Sequence, residues 1–226
     1  MYTKRFWKGV AVVSGEMLLA MVVFTTILAI LVFSIKPFIE QYKQWDLDVF
    51  DSIRPMIRPW LNSFMSIITF FGQHQFLIPA NLSLIIYFLT VSYKSWFSIR
   101  IAAIGLSSLA LMFALKLLFM RQRPPDPLLF SADGYSFPSG HAVMSVAFYG
   151  LLIYICSFTV HNKILRWIIY IMLALLILCI GFSRIYLRVH YASDVLVGLI
   201  VGVLWLLVSL YTLKKIENYN KQHLTV

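Results

Sequence analysis

Six apolar stretches, each long enough to cross a lipid bilayer as a helix, constrain the fold of this chain more than any other feature. A helical crossing takes about 20 residues, and in lipid the backbone polar groups must be paired within the spanning segment. The stretches lie near Val10–Ile35, Phe76–Ser92, Ile99–Met120, Ala142–Val160, Ile164–Phe182 and Val195–Leu213. We therefore predict an all-α polytopic membrane protein with six transmembrane helices, formed by residues 1–226 as one domain.

The composition indicates that lipid is the solvent of this chain. Of the 226 residues, 61% are hydrophobic and 12% are charged, and a soluble domain of that composition would expose apolar patches that aggregate. The formal net charge is +10, but the basic residues lie mostly between the apolar stretches. We therefore expect anionic headgroups of the bilayer and an anionic substrate as partners, with no nucleic acid and no obligate protein partner.

The region before the second stretch admits two interpretations. Residues 62–71 are also apolar, so one long helix starting at Asn62 is the alternative to a span at Phe76–Ser92. Neither choice changes the number of spans.

A further segment, Trp45–Trp60, is predicted to be a short interfacial helix on the outer side. Its apolar residues recur at helical spacing, and its charged residues, Asp46 among them, are assigned to other faces. This pattern is typical of a segment lying in the headgroup plane, with bends at Pro55 and Pro59.

The first of three polar clusters lies where the third stretch ends. Lys116 and Arg123 are seven residues apart, so a helix would place both on one face until Pro124 and Pro125 end it. Each side chain alone is more typical of snorkelling to the interface. As a pair they also suit a phosphate, because a guanidinium binds two phosphate oxygens at once.

The second cluster, Pro138-Ser139-Gly140-His141, precedes the fourth stretch. The free N–H groups and positive dipole end of a helix N-terminus suit an anion, and Gly140 allows close backbone approach. Ser139 is either a plain N-cap or a ligand of that anion. His141 falls in the first helical turn, beside any bound phosphate.

The third cluster joins Arg184, at the end of the fifth stretch, to His190 and Asp194, before the sixth. On a helix the last two would be neighbours, and a carboxylate that accepts from one imidazole nitrogen leaves the other free for attack. Zinc ligation is the competing use, but it needs further ligands. Cys156 and Cys179 lie in apolar stretches and are predicted to be packing residues.

Three other polar positions have different predicted roles. His74, between Gln73 and Gln75, is a candidate for a headgroup pocket, and Arg121 and Arg188 are predicted rim charges. Among the main clusters, three cations and one carboxylate suit a doubly charged phosphomonoester, with two histidines available as nucleophile and acid.

The three clusters resemble the three-part signature of the type 2 phosphatidic acid phosphatase superfamily. That signature is Lys, six residues, Arg-Pro; then Pro-Ser-Gly-His; then Ser-Arg, five residues, His, three residues, Asp. This chain has the required residue at every fixed position, namely Lys116, Arg123, Pro124, Pro138, Ser139, Gly140, His141, Ser183, Arg184, His190 and Asp194. The signature region is residues 116–194.

The resemblance implies a metal-independent phosphatase without a cofactor. Lys116, Arg123 and Arg184 would bind the phosphate, assisted by Ser139 and Gly140. His190, oriented by Asp194, would attack phosphorus to form a phosphohistidine. His141 would protonate the leaving alcohol and then activate water.

Size and predicted layout are similar to bacterial membrane lipid phosphatases of the phosphatidylglycerophosphate phosphatase B type. The first expected substrate is the phosphomonoester of phosphatidylglycerophosphate, among other lipid phosphates. The alternative is undecaprenyl pyrophosphate, whose hydrolysis recycles the lipid carrier of cell-wall synthesis. A lipid phosphotransferase or a transporter is the competing class, and a transporter would carry more charge at mid-membrane than Glu16 alone.

The orientation follows from the distribution of the 19 Lys and Arg residues, which divide ten to nine between the two sides. Lys116, Arg123 and Arg184 belong to the polar clusters and are placed by function rather than by topology. Without these three residues, the division is ten to six. The termini are then cytoplasmic, and all three clusters lie at the extracytoplasmic face.

This orientation predicts a difference in labelling by an impermeant maleimide in intact cells. In a background without Cys156 and Cys179, a cysteine at position 131 should react and one at position 162 should not. The reverse result would place the clusters in the cytoplasm.

Overall fold

The computed structural model describes residues 2–129 and 134–224, without the side chains of residues 2–14, 16–17, 31–32, 34–42 and 222–224. Ser131 and the side chain of Glu16 therefore lie outside the described residues. Seven helices form most of the described chain: α1 (Tyr2–Ile53), α2 (Pro59–Phe70), α3 (His74–Thr90), α4 (Ser95–Phe119), α5 (Gly140–Thr159), α6 (Lys163–Tyr186) and α7 (Ala192–Leu224). These residues contain no strand, and the predicted all-α class is confirmed.

Four of these helices are long and apolar enough to cross a membrane, namely α4, α5, α6 and residues Ala192–Lys221 of α7. In α1 the apolar stretch found among the fully described residues, Leu18–Ile30, is shorter than a membrane span. Side chains such as Ile164 and Met172 on α6 are 74% and 65% exposed, which suits contact with lipid chains. The count of six spans stays a prediction.

The outer segment Trp45–Trp60 is not a separate helix, and this part of the prediction was wrong. Helix α1 continues for 52 residues to Ile53, where a 3-10 turn at Arg54–Met56 begins. The predicted bends do occur, because Pro55 cannot continue the α1 hydrogen bonds and Pro59 is suited to the first position of α2.

The alternative of one helix starting at Asn62 was also wrong. The chain breaks between α2 and α3 around Gly72, which is buried against α5 and α6. A Cβ atom there would lie 2.7 Å from Ile180 Cγ2 and 3.0 Å from His141 Cδ2. The break therefore lets the backbone approach His141 more closely than a side chain would allow.

The core is centred on α7. Trp205 is fully buried, packs against Phe24 of α1 at a ring distance of 5.4 Å, and donates its indole N–H to Ser107 of α4 at 3.1 Å. Buried residues of α4 and α5, such as Leu111 and Val143, complete this cluster. Because α4, α5 and α7 share one core, the ends that carry the polar clusters are held together.

Two glycines bring α7 against the start of α5. A Cβ atom on Gly202 would lie 2.8 Å from Val146 Cβ and 3.2 Å from the Val143 carbonyl oxygen. One on Gly198 would lie 3.0 Å from the Ser139 carbonyl oxygen. This small-residue spacing is typical of closely packed membrane helices.

We predict that Gly202→Ala destabilises the protein by about 1–3 kcal/mol, because a β-branched side chain and a carbonyl must both move. Thermal unfolding in detergent should show a lower Tm. Gly15→Ala is the matched control, since a Cβ atom there meets nothing within 4 Å. An unchanged Tm for Gly202→Ala would contradict the packing described.

Candidate active site

The predicted site residues meet at one end of the bundle, around a cavity of about 740 Å³. The walls come from the end of α4, the start of α5, the end of α6 and the connection before α7. The predicted residues that line the cavity are Lys116, Arg123, Gly140, His141, Arg184 and His190. Ser139 and Asp194 are fully buried behind this wall.

The first cluster reaches the cavity from a helix end and an extended segment. Helix α4 ends at Phe119 because Met120 adopts a left-handed conformation, with φ 45°. The expectation that one helix presents Lys116 and Arg123 was therefore wrong, since the helix ends before Pro124 rather than at it. The Lys116 amine donates to the Tyr135 carbonyl.

Arg123 donates to two backbone carbonyls. Its Nε donates to Gly134 at 2.9 Å and one terminal nitrogen donates to Val189 at 2.7 Å. The same terminal nitrogen lies 3.3 Å from His190 Nε2. Because a guanidinium only donates, this contact requires a lone pair on Nε2.

The second cluster forms the N-terminus of α5 as predicted. Ser139 is the N-cap residue with an extended backbone, but its side chain makes no capping hydrogen bond. Its hydroxyl is buried without a partner, and its N–H donates to the Asp194 carbonyl at 3.1 Å. The plain N-cap interpretation of the Ser139 side chain was therefore wrong. His141 Nε2 is likewise buried without a partner.

The third cluster is arranged around the Ser136 hydroxyl. His190 precedes α7, so it and Asp194 are not neighbours on one helix as predicted, and His190 Nδ1 lies 3.8 Å from Asp194 Oδ2. Ser136 Oγ lies between them, donating to Asp194 Oδ2 at 2.5 Å and lying 3.3 Å from His190 Nδ1. A proton on Nδ1 can therefore be donated to Ser136, which leaves Nε2 as the free nitrogen.

The surroundings of His190 favour its neutral form. The side chain is 2% exposed, and this burial, with the charges of Arg184 and Arg123, outweighs the opposing effect of Asp194 and lowers the pKa of His190 to about 4. A neutral imidazole that donates from Nδ1 to Ser136 has its lone pair on Nε2, beside the Arg123 guanidinium.

Arg184 completes the cationic wall from α6. It is buried, and one terminal nitrogen donates to Thr69 Oγ1 of α2 at 2.7 Å, whereas its Nε has no partner. Thr69 is a site contact that sequence reasoning missed, because a threonine in an apolar helix gives no distinctive signal.

Arg121 is not a rim charge, and that prediction was wrong. Its guanidinium lies between two fully buried carboxylates, 2.5 Å from Asp194 Oδ1 and 2.7 Å from Asp46 Oδ2. Both distances are those of charge-assisted hydrogen bonds. Arg188 also differs from the prediction, since its Nε is buried and its guanidinium lies 5.4 Å from the Phe50 ring centroid.

An apolar groove continues from the polar end of the cavity, between α3 and α4. Gln73, His74 and Gln75 are among the lining residues, and the headgroup role of His74 stays a prediction. The groove itself is lined mostly by aliphatic side chains, among them Leu82, Ile85, Ile101, Leu106 and Leu109. The cavity therefore joins a cationic end to a surface suited to hydrocarbon.

Metal ligation was the competing interpretation of the histidines. Within residues 2–129 and 134–224, no group of three or more His, Cys, Asp or Glu side chains could hold a metal ion. Asp194 is instead engaged by Arg121, by Ser136 and by the Tyr191 N–H at 3.0 Å.

Comparisons with known proteins place the same region in one family. The PAP2 superfamily model matches residues 96–217, which include every predicted site residue. Phosphatidylglycerophosphatase B of Bacillus subtilis (strain 168) is 32% identical over 153 residues, covering 65% of this chain and 72% of that protein.

Two solved structures are similar to this fold. The crystal structure of a transmembrane PAP2 type phosphatidylglycerolphosphate phosphatase from Bacillus subtilis has a TM-score of 0.69 at 23% identity, covering 91% of this chain and 96% of that one. The crystal structure of LpxE from Aquifex aeolicus has a TM-score of 0.58 at 29% identity, covering 73% and 94%.

Proposed function

The chain belongs to the PAP2 superfamily, and we propose that it is a multi-pass membrane phosphatase acting on lipid phosphates through a phosphohistidine. The observation that carries the mechanism is the state of His190. It is buried and neutral, its Nε2 lone pair lies on the cavity wall, and its Nδ1 faces Ser136. This is the arrangement that an attacking imidazole requires.

The phosphate is bound by the cationic wall. Lys116, Arg123 and Arg184 supply three positive charges. At the N-terminus of α5, the Gly140 backbone and the buried Ser139 hydroxyl supply further groups for the phosphate. These groups neutralise the charge that spreads over the phosphoryl oxygens in the transition state.

His190 and His141 then act in sequence on the bound ester. The Nε2 lone pair of His190 forms a bond to phosphorus as the bond from phosphorus to the lipid oxygen breaks, and His141 gives that oxygen a proton. Water next attacks phosphorus, its proton passes to His141, and the electron pair of the P–N bond returns to Nε2. The bound dianion favours the protonated form of His141 in the first step.

The apolar groove supports a lipid as the substrate. A lipid chain between α3 and α4 would place its phosphate at the cationic end of the same cavity. Phosphatidylglycerophosphate is the first candidate, in line with the name of the Bacillus subtilis relative, and undecaprenyl pyrophosphate is the alternative. A lipid alcohol replacing water in the second step would give a phosphotransferase.

The proposal is tested by incubating purified protein with these two lipids and phosphatidate in excess EDTA. We expect stoichiometric release of inorganic phosphate, fastest from phosphatidylglycerophosphate. Phosphate release that depends on added zinc or magnesium would count against the mechanism. Transfer to a second lipid without free phosphate would identify the phosphotransferase instead.

We also propose that the termini are cytoplasmic and that the cavity opens at the extracytoplasmic face. The support is the predicted distribution of basic residues, together with the location of all three clusters at one end of the bundle. Maleimide labelling at positions 131 and 162 tests this orientation.

The groove predicts a substrate-dependent effect of Gly105→Phe. A Cβ atom at Gly105 meets nothing closer than Asn81 Oδ1 at 3.6 Å, so a phenyl ring would occupy the groove without displacing the backbone. Turnover of the lipid should fall about tenfold or more, with a much smaller loss on p-nitrophenyl phosphate. Gly15→Phe, in an open position on α1, is the control. Equal losses on both substrates would mean that the groove does not hold the lipid.

The two histidines should respond differently to substitution. His190→Ala should abolish turnover and the covalent phosphoenzyme. His141→Ala should lose most activity on the lipid, a poor leaving group, and retain relatively more on p-nitrophenyl phosphate, whose leaving group needs little protonation. A phosphoenzyme that still forms in His190→Ala would show that another residue is the nucleophile.

A further inference from the structure

Arg121 bridges two carboxylates that lie far apart in the sequence. One terminal nitrogen contacts Asp194 Oδ1 and the Ser193 hydroxyl, the latter at 2.8 Å, and the other contacts Asp46 Oδ2. Both carboxylates are fully buried, whereas the arginine side chain is 22% exposed. A buried carboxylate is tolerated only when it is paired and hydrogen-bonded, so each depends on this guanidinium.

Asp46 also caps the helix that carries Asp194. Its carboxylate accepts the Ser193 N–H at 2.9 Å and the Ser193 hydroxyl at 2.7 Å. The first N–H groups of α7 have no partner inside the helix, and Asp194 itself accepts the Tyr191 N–H. The start of α7 is therefore held by one carboxylate of its own and one from α1.

Aromatic rings hold the guanidinium in place. Arg121 lies over the Tyr191 ring at 4.1 Å from its centroid, and the Tyr191 ring packs against Phe50 at 5.8 Å. Phe50 follows Asp46 by one helical turn, so the end of α1 contributes both the carboxylate and the ring. A site over an aromatic ring and in contact with two carboxylates suits arginine better than lysine, because the guanidinium has a rigid fork of N–H donors.

This group of residues contacts the proposed nucleophile through Asp194. One carboxylate oxygen of Asp194 binds Arg121, and the other binds Ser136, whose oxygen faces His190 Nδ1. Arg121 thus opposes the negative charge that Asp194 presents toward His190, and Asp46 in turn opposes the charge of Arg121. Among residues 2–129 and 134–224, Arg123, Arg184 and His141 also interact electrostatically with His190.

We propose that Arg121, held by Asp46, is a positioning residue that fixes the Asp194 carboxylate and sets the protonation of His190. The inference rests on the proposed role of His190 as nucleophile, but the charge balance around that imidazole can be measured without turnover. Arg121 with its two carboxylates carries a net charge of −1. Loss of the cation makes the group more negative, and loss of the Asp46 charge makes it neutral.

The test is a titration of the His190 imidazole by ¹⁵N NMR on the full chain in detergent. His190→Gln identifies its signal among those of the five histidines. In the unaltered chain the midpoint should lie near the pKa of about 4. Arg121→Gln should raise this midpoint by at least about half a pH unit, because the uncompensated carboxylates favour the imidazolium.

Asp46→Asn should act in the opposite direction. The asparagine oxygen can still accept the Ser193 N–H, so α7 stays capped. The positive charge of Arg121 is then balanced by one carboxylate instead of two, so His190 should remain neutral to lower pH. The double variant Arg121→Gln with Asp46→Asn removes one charge of each sign and should return toward the unaltered midpoint. If Arg121→Gln does not fold, Asp46→Asn and the double variant decide the question.

Turnover supplies a second measurement. Asp46→Asn should lower kcat about tenfold while inhibition by inorganic phosphate changes by less than about twofold, because the phosphate-binding cations are intact. The controls are Asp48→Asn, an exposed position two residues further along α1, and Arg54→Gln, an exposed arginine beyond its end.

Shifts of opposite sign would support the positioning role. Unchanged midpoints in both single variants, or an upward shift in both, would overturn it. Failure of the unaltered chain to release phosphate from any lipid would instead count against the proposed function, and the titration would still decide the role of Arg121.

Discussion

The bridge from Arg121 to Asp46 and Asp194 is the interaction on which the geometry of the site depends. It joins the end of α1 to the extended segment after α4 and to the first turn of α7. A break in this bridge leaves buried carboxylates unpaired, at a cost of several kcal/mol each. The segments that present Lys116, His141 and His190 are therefore held by one polar centre behind the cavity wall.

The three cations that line the cavity are bound by neutral groups rather than by carboxylates in the contacts described. Arg123 is bound by backbone carbonyls, Lys116 by the Tyr135 carbonyl and Arg184 by the Thr69 hydroxyl. These acceptors are neutral oxygens, so the contacts themselves leave the charge of each side chain in place. Asp46 and Asp194 lie behind the wall and are bound by Arg121, and three cations line the cavity, which suits a phosphate dianion. Arg121 thus serves the buried carboxylates, while Lys116, Arg123 and Arg184 face the cavity.

The helical class and the three clusters were predictable because apolar length and fixed spacing are local signals. The predictions that were wrong concern where helices end and which distant residues pair. The sequence pattern places Pro124 at the end of α4, but a left-handed Met120 ends it earlier. Asp46 was assigned to a polar face, although it precedes the buried Phe50 by four residues and so shares its face of the helix. Its partner, Arg121, lies 75 residues away, and the spacing of residues within one segment cannot predict a pair so distant in the sequence.

The same geometry explains why the site can belong to a membrane protein. The first N–H groups of any helix have no hydrogen-bond partner within that helix, and the start of α5 presents such groups at the cavity. An anion can therefore bind there without leaving backbone groups unpaired deeper in the bundle. The groove between α3 and α4 leads from the same cavity over apolar side chains. A lipid bound there would keep its chain in an apolar environment while its phosphate meets the cations. The energy of extracting the chain from the bilayer is then largely avoided, which leaves binding energy to orient the phosphate for attack.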